Sequence, residues 1–99
     1  MVKSFLVLPA SIFSAAPQPV HMVTRDEVLA LAKRDSSQFC SGDHMSCEFS
    51  ASPSAEDGWS VLVLQVSTAA DGRKGYPVGG HHVYIYTIDG KLLRDIPGL

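Results

Sequence analysis

The residues best equipped for chemistry gather between positions 40 and 47. Cys40, His44 and Cys47 place a thiol, an imidazole and a second thiol in C-x3-H-x2-C spacing, with Asp43 alongside. Such groups begin a zinc site, but a structural zinc takes four firm ligands. The fourth would have to come from His21, and the paired C-x2-C knuckles of zinc domains are absent. The competing chemistry is a disulfide between Cys40 and Cys47, which an oxidising compartment makes the default. In a reducing compartment they are two thiols spaced too widely for a C-x-x-C redox pair. The disulfide is the reading adopted, with no metal and no cofactor.

Other chemical groups lack the company they need. No serine sits in a G-x-S-x-G elbow, and neither cysteine with His44 has a third residue to orient the base. The glycines from Gly72 to Gly80 do not precede a helix, so no phosphate cradle forms. His81 and His82 are neighbours in a strand pattern, where adjacent side chains leave on opposite faces and cannot share one metal. These patterns name no catalytic residue, and the expectation is a protein that is not an enzyme.

Positioning falls to one helix and a few strands. Thr24-Arg25-Asp26-Glu27 is a capping box, with Val23 and Val28 placed as a hydrophobic staple. Acidic Asp26 and Glu27 at the start, with Lys33 and Arg34 at the end, complement the helix dipole. The helix is expected from Arg25 to Asp35, with an extension to Phe39 left open. Met45, Cys47 and Phe49 alternate as in a short strand. After a turn from Pro53 to Gly58, the run from Trp59 to Val66 is β-branched and apolar on both faces. A strand of that kind belongs in mid-sheet, covered by the helix on one side and by something else on the other. His82 to Ile88, the turn signal Asp89-Gly90, and Lys91 to Asp95 complete a hairpin. The expected fold is α+β, one N-terminal helix packed on a three- to four-stranded antiparallel sheet.

The composition agrees with one small domain. The chain has 99 residues, 45% hydrophobic and 18% charged, with a net charge of −2. That charge lacks the basic excess which phosphate binding needs, so nucleic acid is not an expected partner. No apolar run reaches the roughly 20 residues of a membrane span. Residues 1–16 read as a signal peptide or an N-terminal arm, and 17–99 as a single domain. Lys3 precedes an apolar stretch that ends in Ser14-Ala15-Ala16, which suits cleavage and export to the periplasm or beyond. Pro9 and Pro17 argue for the arm instead.

The long connection from Thr68 to Gly80 carries Arg73, Lys74 and Tyr76 among glycines, with His81 and His82 at its base. Loops of this length are often functional, and Arg and Tyr dominate interface hot spots. These five residues are the expected partner-binding set. The segment from Trp59 to Val63, then Gly79-Gly80 leading into His82 to Ile88, then Asp89-Gly90-Lys91-Leu92-Leu93, resembles the closing part of bacterial immunity proteins with a nuclear-transport-factor-like fold. The helix opening with Asp26-Glu27 is similar too. A second similarity is to peptidase propeptide and inhibitory domains. Either resemblance implies a non-catalytic protein that binds another protein, a toxin or an enzyme, and neutralises it. The alternative expectation is a small-ligand or metal-binding domain using His21, Cys40, His44 and Cys47.

Overall fold

In a computed structural model of the chain, residues 21–55 and 57–98 are described. The possible signal peptide or arm at 1–16 lies outside them. Helix α1 (Arg25–Asp35) begins where the capping box places it. The Glu27 amide donates to the Thr24 hydroxyl at 3.2 Å, and the Thr24 amide donates to the Glu27 carboxylate at 2.8 Å. Together they satisfy two of the amides that a helix start leaves orphaned. The Thr24 amide, followed by the His21 ring, holds the Glu27 carboxyl below its ordinary range. The helix stops at Asp35, with Ser36 as its C-cap. Ser36 is buried, and its hydroxyl donates to the Ala32 carbonyl at 2.6 Å.

Five antiparallel strands follow, β1 (Met45–Pro53), β2 (Trp59–Thr68), β3 (Lys74–Gly75), β4 (His81–Tyr86) and β5 (Leu92–Pro97). They run β1-β2-β4-β5 across the sheet, and β3 pairs with the far end of β2. The α+β class stands, with two corrections. The sheet has five strands where three or four were expected, and the helix follows at least twenty residues of chain and is not N-terminal. The added strand lies inside the expected long loop. Ser67 pairs with Gly75 and Thr68 with Lys74, and the Ala69 amide donates to the Arg73 carbonyl at 2.8 Å. Much of that loop is therefore a tight hairpin.

The strands sort their residues by alternation. Val28 and Ala32 of the helix form one core with Ala51, Val61, Val63, Tyr84 and Tyr86, all nearly or wholly buried. Burying each large side chain of that set stabilises the fold by roughly 1.5–3 kcal/mol. Strand β2 is central, as its apolar sequence requires. Gly58 lets its entry run against β4, since a Cβ there would stand 1.9 Å from the Tyr86 carbonyl oxygen. At the same end of β4, the Thr87 amide donates to the Lys91 carbonyl, and Gly90 holds the turn at φ +93°. That turn begins before Ile88, which is why β4 ends at Tyr86.

Cys40 and Cys47 form a disulfide, with Cα atoms 5.7 Å apart. It ties the segment after α1 to the start of β1, next to Phe39, whose carbonyl accepts from the Gln65 amide side chain at 2.7 Å. Closing so short a loop constrains the unfolded chain by about 2–3 kcal/mol. The C40A/C47A double variant is expected to lose about that much in urea unfolding and to keep the far-ultraviolet circular dichroism of the parent. An unchanged midpoint would show that the bridge does not constrain the unfolded ensemble.

Candidate functional site

Alternation that sends Val61 and Val63 toward the helix sends Leu62, Leu64 and Val66 the other way. The register then builds rows across the second face. Glu48, Leu64 and His81 stand opposite one another. The next row holds Ser50, Leu62, Val83 and Ile96, and the one after it Ser52, Ser60, Ile85 and Arg94. No helix of the described residues packs here, because α1 lies on β1 and β2 from the other side. Val66 and Ile85 on this face are nearly buried, at 1% and 7% exposed, Leu62, Leu64 and Val83 are half-buried, and Ile96 is 46% exposed. The face is an apolar stripe between a serine-lined edge on β1 and a rim of Glu48, His81 and Arg94.

The five expected binding residues divide between several places. Tyr76 reaches this open face, where its hydroxyl donates to the Glu48 carboxylate at 3.0 Å. Tyr76 follows β3 on one side of β2 and Glu48 stands on the other, so their bond crosses β2 near Leu64 and Val66. The Glu48 carboxylate, followed by its charge, pushes the Tyr76 phenol above its usual range. His81 is exposed on the same face. Arg73 and Lys74 sit at the hairpin, lining a shallow hollow of about 380 Å³. The Arg73 guanidinium is 2.7 Å from the Asp71 carboxylate, which offsets its charge locally.

His82 turns to the helix side. Its ring stacks on Tyr84 with centroids 4.6 Å apart and meets Phe39 edge-on at 5.1 Å. Its side chain is only 15% exposed, and neither ring nitrogen has a hydrogen-bond partner. Nε2 stands 3.6 Å from Asp95, beyond hydrogen-bond reach. Alternation puts the two histidines on opposite faces, and His82, expected among the partner-binding residues, packs inward. Leu62, Leu64, Val83, Ile96, Glu48 and Arg94 were missed as surface residues. The signal for Leu62 and Leu64 was the apolar character of β2 on both faces.

The helix side holds a polar cluster of its own. The Tyr86 hydroxyl donates to Asp35 at 2.8 Å, and the Arg34 guanidinium donates to the same carboxylate at 2.9 Å. Burial raises the Asp35 carboxyl, but the bonds from Arg34 and Tyr86 outweigh it and hold Asp35 below its ordinary range. Burial first, and then the Asp35 bond, push the Tyr86 phenol far above the ordinary range. This is a partly buried lock between the helix end and β4. Cys40 and Cys47, bonded to each other, supply no thiolate. Among the described residues no three His, Cys, Asp or Glu side chains cluster to hold a metal.

No protein-family model, no curated protein and no solved structure matches this chain.

The Tyr86 lock has a pH signature. An unfolded tyrosine ionises near pH 10, whereas the folded chain binds the Tyr86 proton more tightly. Its contribution is complete below about pH 10 and is lost as pH climbs toward the higher folded value. Tyr86→Phe is expected to cost about 1.5–3 kcal/mol at neutral pH, the range for a hydrogen bond to a charged group. Its stability should also fall less steeply than the parent's above about pH 10. Parallel slopes in urea titrations across that range would remove Tyr86 as the cause.

Proposed function

We propose that this chain is a non-catalytic protein-binding module that docks a partner on the open sheet face, as an immunity-type or inhibitory protein would. The observation that carries the reading is the stripe of Leu62, Leu64, Val83 and Ile96, rimmed by Glu48, Tyr76, His81 and Arg94. An apolar centre inside a polar, partly charged rim is the anatomy of a protein interface. Contiguous apolar surface left on a small domain marks an interaction site more often than a chance exposure. The rim carries both signs of charge, which sets orientation and partner choice more than raw affinity.

The partner class that fits is a toxin or an enzyme whose working surface this face would cover. Export to the periplasm or beyond belongs to the same proposal. The Cys40–Cys47 disulfide supports it, since such bonds persist in oxidising compartments. The metal-binding alternative loses its two thiolates to that bond.

Affinity capture with the tagged chain from its native cell, read by mass spectrometry, tests the proposal when run beside Leu62→Glu and Ile96→Glu. A specific partner is expected to be retained by the parent and weakened at least tenfold by either change, about 1.4 kcal/mol. Circular dichroism should show both variants folded. A partner held equally by parent and variants would move the binding surface elsewhere. Reversing Arg73 and Lys74 together separates a rim role, which lowers the association rate and its salt dependence, from none.

A further inference from the structure

A cavity of about 490 Å³ opens on the helix side of the sheet, between the helix N-terminus and the β1–β2 turn. Its size is that of a small-molecule site. Met22, Pro53, Trp59 and Ile88 give it apolar walls, and Asp57 is the one charged residue among the described residues lining it. The flanking apolar groups stay open to water, with Met22 63% and Ile88 42% exposed.

The polar groups of the wall are already engaged. The Trp59 indole N–H donates to the Val23 carbonyl at 3.2 Å, and the Val23 amide donates to the Ile88 carbonyl at 2.9 Å. The Gly58 amide donates to the Ser54 hydroxyl at 3.4 Å, and the Ser54 amide to the Gly58 carbonyl at 3.0 Å. An anionic ligand would find these amide and indole donors occupied and a carboxylate opposing it. What remains on offer is apolar surface, the indole ring and the Asp57 carboxylate. The wall thus suits a cation with a hydrophobic body, which an indole also attracts through its π face.

We infer that this cavity is a binding site for a small organic cation, an apolar aryl or alkyl body bearing one ammonium group. The body rests against Trp59, Met22 and Ile88, and the ammonium meets Asp57. The site is on the opposite side of the sheet from the docking face and stands or falls independently of it.

Trp59 is the single tryptophan of the chain, so its fluorescence reports occupancy directly. The full chain is titrated with 4-phenylbutylammonium, the neutral 4-phenylbutanol and the anionic 4-phenylbutanoate. Saturable binding is expected for the ammonium, weaker binding for the alcohol and weakest for the carboxylate. Asp57→Asn should weaken the ammonium about two- to fivefold and leave the alcohol unchanged, as loss of one exposed ion pair implies. Asparagine tolerates the left-handed backbone that Asp57 adopts at φ 60°. Raising the salt on the parent chain gives a second reading, because screening weakens the ammonium and spares the alcohol. Ile88→Lys should abolish ammonium binding. A linear quench matching free N-acetyltryptophanamide overturns the site, as does a ligand order that neither salt nor Asp57→Asn changes.

Discussion

A strand that is apolar on both sides must be covered twice or leave one side to water, and β2 is such a strand. Val61 and Val63 on one side and Leu62 and Leu64 on the other ask for two layers above and below the sheet. Among the described residues the chain supplies one helix. A helix is roughly 10–12 Å across, and four strands at about 4.8 Å spacing make a sheet wider than that. The helix therefore covers only β1 and β2 on its own side, and among the described residues no second layer packs on the other. The proposed function follows from that imbalance.

Much of the covered side serves to fix α1 in place. The capping box sets where the helix starts, and Val28 and Ala32 seat it on Ala51, Val61 and Val63. At its far end Asp35 receives Tyr86 and Arg34, and the disulfide beyond it holds Phe39 against His82. Because strand side chains alternate strictly, locking one face also fixes which residues face away. The rigid placement of Val61 under the helix is what presents Leu62 on the open side.

Much of this was legible in the residues. Thr24 and Glu27 are a local signal, and local hydrogen bonds do not depend on distant chain, so the helix start was read correctly. The alternation of Met45, Cys47 and Phe49 found β1, but not its continuation through Ala51 to Pro53. That stretch has little strand preference of its own and is held by pairing with β2. Strand β3 escaped because Lys74-Gly75 has no pattern. Its order comes from Ser67 and Thr68 across the hairpin. His81 and His82 show the same limit, since alternation separates them but only tertiary packing decides which one is buried. The second face of β2 was expected to be covered, whereas no described helix packs on it, and the rim of Glu48, Tyr76, His81 and Arg94 depends on a register that no single strand contains.

The exposure of the second face in the full chain is the point on which most depends, and methyl NMR with a soluble paramagnetic probe measures it directly. Methyl groups of Leu62, Leu64, Val83 and Ile96 should broaden strongly, while those of Val28, Val61 and Val63 stay sharp. Should Leu62 and Val83 prove as protected as Val61, the face is already covered and has no room for a partner.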